Sequence, residues 1–110
     1  MIKVSIFYPN GDDIEFDVNY YRQQHFPLVR SKLGAALLDD AIEVGICGAH
    51  TGEIPAFAAA GHLYFESVEA FQTAFAPHMK AIQSDLPNYT NARPLLQVSE
   101  VVNTKESDHA

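Results

Sequence analysis

The order of its strand-like and helix-like segments is the feature that most constrains this chain. Apolar and polar residues alternate along residues 1–8 (MIKVSIFY) and again along residues 95–102 (LLQVSEVV). Because successive side chains of a strand point to opposite faces, this alternation predicts two strands that each have two unlike faces. Residues 41–47 and 57–65 are predicted as two further strands, the latter rich in alanine but ending in Leu-Tyr-Phe.

Two helices are predicted between these strands. Asp17 is the predicted N-cap of a helix that begins near Val18, and Gly34 marks its end, because glycine commonly follows the last helical turn. Ser67 is the predicted N-cap of the second helix, whose apolar residues then recur at spacings of three and four.

The resulting order, βαββαβ, predicts an α+β fold of the ferredoxin-like kind, with two helices on one face of a four-stranded antiparallel sheet. A chain of 110 residues is long enough for one such core and too short for two. We therefore predict a single domain at residues 1–102 and a polar, disordered tail at residues 103–110.

The sheet face without helices is predicted to be mixed in character. Alternation places these residues on it: Lys3, Ser5, Phe7, His62, Tyr64, Gln97, Ser99 and Val101. Such a face is too apolar for free exposure to water and too polar for a dry core. We therefore expect a homodimer, with this face as half of an interface around a cavity.

Charge and composition argue against several partners. Seven Lys and Arg against 14 Asp and Glu give a net charge of −7, without the basic cluster that nucleic-acid binding requires. No apolar run approaches the length of a membrane span and no signal-peptide pattern is present, so we expect no membrane partner and a cytoplasmic location. A single cysteine, Cys47, excludes an internal disulfide.

Two parts of the sequence go beyond these patterns. Residues 17–29 (DVNYYRQQHFPLV) resemble the first-helix signature D-x-x-Y-Y-x-x-x-H-x-P-L-V of the EthD family, named for ethyl tert-butyl ether degradation. Residues 61–65 (GHLYF), 67–71 (SVEAF) and 85–90 (DLPNYT) are similar to the second half of that family. The resemblance spans residues 1 to about 102.

The resemblance implies a dimeric α+β barrel, in which two protomers pack their sheets face to face and each holds a pocket between sheet and helices. The wider superfamily includes cofactor-independent monooxygenases, isomerases, polyketide cyclases and haem-handling enzymes, and the family is associated with oxidoreductases of catabolism. The chain has no G-x-G-x-x-G after a strand, so we expect no nicotinamide or flavin cofactor.

His25 is the predicted catalytic residue. It matches the histidine of the family signature, lies one helical turn after Tyr21, and is followed by Pro27, which should kink the helix nearby. Imidazole can accept or donate a proton near neutral pH. The alternative is a structural histidine with both nitrogens bonded. As a catalytic base, His25 should line a pocket and contact Tyr21 or His62, and Glu66 and Asp85 are candidates for a neighbouring carboxylate.

Five further residues are predicted to bind the substrate. They are Tyr21, His62, Tyr64, His78 and Tyr89. The alternative for His62 and Tyr64 is a cross-strand polar pair that satisfies the interface, and the alternative for the other three is a packing or surface role. His25, His62 and His78 lie on three different elements, without the H-x-H or H-x-x-x-H spacing of a metal site, so we expect no metal.

Three functions remain open from the sequence. The first is a catabolic protein that binds a small organic acid, lactone or ether product and transfers a proton through His25. The second is a non-catalytic module that binds a metabolite or supports a partner oxygenase. The third is a cofactor-independent isomerase or decarboxylase.

Overall fold

The structure is a computed structural model, and it describes residues 1–105. Four strands form one antiparallel sheet in the order β2-β3-β1-β4. They are β1 (Ile2–Pro9), β2 (Asp39–Val44), β3 (Phe57–Phe65) and β4 (Leu95–Glu100).

Two helical regions pack on the same face of this sheet. The first helical region runs through an α-helical turn, a π-helical turn and an α-helix: Val18–Tyr20, Tyr21–His25 and Phe26–Leu33. The second consists of an α-helix, a 3-10 turn and an α-helix: Val68–Phe75, Ala76–His78 and Met79–Ser84. The predicted α+β, ferredoxin-like order is therefore confirmed. Short 3-10 turns also occur at Gly34–Ala36 and Leu86–Asn88.

The predicted helix ends are confirmed by their hydrogen bonds. The Asp17 side chain accepts from the Tyr20 amide at 3.0 Å, and the Ser67 hydroxyl accepts from the Ala70 amide at 3.1 Å. Each cap therefore satisfies one of the amide groups that a first helical turn leaves unpaired. Gly34 ends the first region with a φ of 58°, a conformation that favours glycine.

The first helical region widens at its proline instead of breaking. Immediately before Pro27, the amide of Phe26 bonds the carbonyl of Tyr21, five residues back. Proline has no amide hydrogen and its ring clashes with the preceding turn, and a π-helical turn relieves both problems locally. The helix then continues to Leu33. The wide turn contains His25 as its last residue, at the place where the kink was predicted.

The two faces of the sheet differ as the alternation predicts. Val4 of β1 pairs with Leu63 and Val98 on the face covered by helices, where the core lies. Its neighbour Ser5 pairs with His62 and Gln97 on the opposite face, here called the open face.

Two strand boundaries differ from the prediction. β2 occupies Asp39–Val44 and not 41–47, because the chain leaves the sheet after Val44, so Ile46 is 90% exposed and Cys47 is exposed in the following loop. β4 ends at Glu100 and not at 102. The predicted disorder of the tail concerns mainly residues 106–110, which lie outside the described residues. Among residues 1–105, no helix has the length and apolar character needed to span a membrane.

Candidate functional site

A cavity of about 300 Å³ lies between the two helical regions and the covered face of the sheet. Its wall is mostly apolar and includes Val4, Ile6, Val29, Leu63, Phe71, Phe75, Ile82, Leu86 and Leu96. Five lining residues carry polar groups, namely Tyr8, Tyr21, His25, Gln83 and Tyr89. An apolar cavity with a few polar groups is the usual form of a small-molecule site.

His25 is buried at the cavity wall and paired with a carboxylate. Its Nδ1 lies 2.9 Å from Oδ2 of Asp85, which follows the second helical region. The Tyr21 ring stacks on the imidazole, with centroids 5.5 Å apart and an angle of 11°. The predictions that His25 lines a pocket and contacts Tyr21 therefore agree with the geometry, and Asp85 is the neighbouring carboxylate.

Asp85 is itself held in place by two further donors. Its Oδ1 accepts from the Tyr20 hydroxyl at 2.7 Å and from the Asn88 amide at 2.9 Å. Partial burial alone would raise the pKa of Asp85, but the hydrogen bonds from Asn88, Tyr20 and His25 outweigh it and lower the pKa. Asp85 is therefore a fixed carboxylate anion at neutral pH.

This arrangement sets the protonation of His25. An ionised Asp85 can only accept, so Nδ1 carries the hydrogen and Nε2 is left as the basic nitrogen. Burial lowers the pKa of His25, only partly opposed by the hydrogen bond and charge of Asp85, which favours a neutral ring. Within residues 1–105 no side chain or backbone group hydrogen-bonds Nε2. The site therefore has the base and orienting carboxylate of a general-base pair.

A cluster of tyrosines forms the wall beside His25. The hydroxyls of Tyr8 and Tyr89 are 2.9 Å apart, and the Tyr89 ring centroid lies 4.7 Å from that of His25. Burial is the largest cause of the raised pKa of Tyr8, Tyr21 and Tyr89, so their hydroxyls remain neutral. Tyr21 packs directly against strand β3 at Gly61. Any larger residue there would be too close, because a Cβ atom would lie 2.3 Å from the Tyr21 hydroxyl.

His62 and Tyr64 do not belong to this cavity. Both lie on the open face, on the other side of the sheet from His25. His62 there bonds Ser5 through Nδ1 at 2.9 Å and Glu43 through Nε2 at 2.8 Å, so both of its nitrogens are occupied. The structure therefore does not bring His62 and Tyr64 to the cavity that His25 lines, because alternation separates the two faces.

Of the other three predicted binding residues, two line the cavity and one does not. Tyr21 and Tyr89 line the cavity, whereas His78 is half-buried in the 3-10 turn and does not line it. Sequence reasoning missed Tyr8, which the pattern assigns only to the covered strand face. It also did not single out Tyr20, whose hydroxyl donates to Oδ1 of Asp85 at 2.7 Å. In the part of the chain that the structure describes, no three His, Cys, Asp or Glu side chains cluster as metal ligands would.

Comparisons with known proteins agree with this architecture. The EthD domain matches residues 11–93. An EthD-like protein from Ralstonia eutropha JMP134 is 38% identical, with 96% of each chain covered and a TM-score of 0.90. An EthD family protein from Bacillus halodurans C-125 shares the fold at 23% identity, covering 91% of this chain and 97% of its own, with a TM-score of 0.70. No curated protein matches. A domain match over most of the chain, together with the 38% identical relative, shows that this chain belongs to the EthD family.

Proposed function

We propose that this EthD-family protein binds a small, mainly apolar organic molecule in the cavity and transfers a proton through Nε2 of His25. One observation carries the proposal: an imidazole fixed at Nδ1 by Asp85, with no partner for Nε2 in residues 1–105, lines an apolar cavity. No fully buried side-chain nitrogen of the described residues lacks a partner, so the unpaired Nε2 is not sealed in the core and a ligand can reach it.

The surroundings of His25 suit a general base. Asp85 prevents the ring from turning, fixes the tautomer and stabilises the positive imidazolium that forms when Nε2 accepts a proton. The lowered pKa keeps the base unprotonated at neutral pH and ready to act. The wall is mostly apolar, so the interaction of Asp85 with the developing charge is less screened than it would be in solvent.

A binding module without catalysis is the second candidate. The apolar wall supports it, since binding an apolar metabolite, alone or for a partner oxygenase, requires no base. The two candidates differ in one respect, because a module does not need the uncommitted nitrogen of His25.

Binding and proton exchange separate these candidates. The panel consists of small neutral ketones, lactones and phenols, together with carboxylate anions. Calorimetry measures the affinity for each compound, and NMR in D₂O measures exchange of its carbon-bound hydrogen. We expect at least one compound to bind and exchange with the native protein. In His25→Ala the exchange should be lost while affinity changes little.

Each other outcome counts against part of the proposal. Binding without exchange of any panel compound would favour the module. Equal exchange in the native protein and in His25→Ala would remove His25 as the base, and no binding by any compound would contradict a role for the cavity.

We also propose that the protein acts as a homodimer through the open face of its sheet. Large apolar side chains are exposed there, with Phe57 and Leu95 at 37% and 57%, and the Phe7 ring packs on Phe57 at 5.0 Å. A specific interface buries more than about 1,000 Å² in total, which a sheet face of this kind can supply. Sedimentation at micromolar concentration should give a dimer, and a monomer would contradict this proposal without affecting the cavity.

A further inference from the structure

Two hydroxyl groups in the cavity wall have no role in proton removal by His25. Tyr8 lies at the end of β1 and Tyr89 follows the 3-10 turn Leu86–Asn88, and both side chains are buried. Their hydroxyl oxygens are 2.9 Å apart. Both residues line the cavity with His25.

A hydrogen count shows that this pair can donate to a ligand. Two hydroxyls carry two hydrogens, and the bond between them uses one. One hydrogen therefore remains for an acceptor. Because burial keeps these groups neutral, they act as hydrogen-bond donors and not as bases.

The charge of the cavity selects among possible acceptors. The described residues that line it include no Lys, Arg, Asp or Glu. A fixed negative charge lies behind this wall, because the Asp85 carboxylate bonds Nδ1 of the lining residue His25. A carboxylate ligand would lose its water here without gaining a positive partner and would be repelled by Asp85. An uncharged ligand avoids both penalties.

From this geometry we infer that the substrate is an uncharged carbonyl compound, whose oxygen accepts a hydrogen bond from the Tyr8–Tyr89 pair while His25 removes a proton from the adjacent carbon. The inference rests on the proposed role of His25 for its proton-transfer step. Its account of charge and oxygen binding is independent of that role. It also narrows the substrate class, because organic acids are excluded.

The reaction balances without any oxidant, reductant or second substrate. Nε2 of His25 takes the proton, the electron pair of the C–H bond forms a C=C bond, and the carbonyl electron pair moves to oxygen. The enolate oxygen is then hydrogen-bonded by the tyrosine pair, and the imidazolium is stabilised by Asp85. Return of the proton to the same carbon gives exchange, and its return to a conjugated carbon gives isomerisation. Donors aimed at a developing oxyanion commonly contribute 10²- to 10³-fold to a rate.

Three probes of similar shape test the binding part on the native protein. They are 2-indanone, which is a neutral ketone, indane, which lacks the oxygen, and indane-2-carboxylate, which is an anion. We expect 2-indanone to bind at least about tenfold more tightly than the carboxylate at pH 7. Equal or tighter binding of the carboxylate would overturn the inference, and this comparison needs no variant that has to fold.

Removal of both hydroxyls tests the role of the pair, because either hydroxyl alone would keep one hydrogen free to donate. The double variant Tyr8→Phe/Tyr89→Phe should reduce the affinity for 2-indanone relative to that for indane by about 3- to 10-fold, the usual effect of one neutral hydrogen bond. Hydrogen exchange of 2-indanone in D₂O should fall further, by about 10²-fold. Tyr64→Phe is the matched control, because Tyr64 lies on the open face. It should change neither the ketone-to-indane affinity ratio nor the rate of hydrogen exchange.

The readouts distinguish failure of this inference from failure of the proposed function. If the double Phe variant keeps the native ketone-to-indane affinity ratio, the carbonyl inference is wrong even where His25 transfers a proton. If the native protein exchanges nothing but prefers the ketone, and the double Phe variant loses that preference, the tyrosine pair is supported as the oxygen site and proton transfer is contradicted.

Discussion

Two histidines of this protein are paired with carboxylates at nearly equal distances on opposite faces of one sheet. Nδ1 of His25 lies 2.9 Å from Asp85, and Nε2 of His62 lies 2.8 Å from Glu43. The second nitrogen of His62 bonds Ser5, whereas that of His25 has no partner in the described chain. A histidine–carboxylate pair alone therefore does not identify a base; the remaining nitrogen and the space beside it do.

The two carboxylates differ as much as the two rings. The Asp85 side chain is 13% exposed and held by Tyr20 and Asn88, whereas the Glu43 side chain is 65% exposed. A hydrogen bond to a largely exposed carboxylate competes with water and contributes little to orientation. Asp85 can therefore fix the ring and tautomer of its histidine in a way that Glu43 cannot.

The largest expected effect compares the two histidines directly. His25→Gln should reduce hydrogen exchange of a bound carbon acid by about 10²- to 10⁴-fold, the usual contribution of a general base. His62→Gln should change it less than about threefold, since His62 does not line the cavity. NMR exchange rates at saturating ligand measure both. Comparable losses in the two variants would show that the faces are not functionally distinct.

The second-largest expected effect compares the two carboxylates, Asp85 and Glu43. In Asp85→Asn the Tyr20 and Asn88 donors hold the remaining oxygen, so the new NH2 group faces Nδ1 of His25 and favours the tautomer with its hydrogen on Nε2. We therefore expect a loss of roughly 10- to 100-fold in exchange rate with little change in ligand affinity. Glu43→Gln is the matched control and should retain the native rate. Rate and affinity are measured separately, because a loss of affinity alone would indicate that Asp85 only shapes the cavity.

The same comparison shows what the sequence could predict. Alternation correctly assigned His62 and Ser5 to the open face, because side-chain direction in a strand is a local property. Alternation alone could not place the cavity on the covered face, since a void depends on how helices pack above the sheet; the family resemblance implied that location. Asp85 bonds His25 and Tyr8 lines the same cavity only through that packing, because both are distant from His25 in sequence. The family motif pointed to His25, which the structure places at the cavity wall.

Gly61 shows how tightly the covered face is packed. In Gly61→Ala the new Cβ would lie 2.3 Å from the hydroxyl of Tyr21 and 3.1 Å from the ring of Phe26, so one of them must move. We expect the free energy of unfolding to fall by about 1–3 kcal/mol, the usual cost of overpacking, as measured by urea denaturation. In Gly11→Ala the nearest atom is 3.4 Å away, so this control should be nearly neutral.

A second substitution makes this prediction specific. Because the closest contact is the Tyr21 hydroxyl, Tyr21→Phe should recover part of the loss when combined with Gly61→Ala. Strictly additive effects of the two changes would mean that the hydroxyl is not the source of the strain.

The smallest expected effect is the pH dependence of stability that His25 contributes. Burial lowers the pKa of His25 in the folded protein, so below about pH 6.5, the ordinary value, the unfolded chain binds a proton that the folded chain resists. Folding stability should therefore decline as pH falls from 7 to 5, and the stability of His25→Gln should decline less steeply.

Asp85 does not interfere in this pH range. Its lowered pKa makes its contribution to folding stability full above about pH 4 and lost only at lower pH. Urea unfolding at several pH values measures the difference between the two slopes, in which every group common to both proteins cancels. Parallel slopes would show that His25 takes up its proton equally in both states, and its neutrality could then no longer be credited to burial beside the cavity.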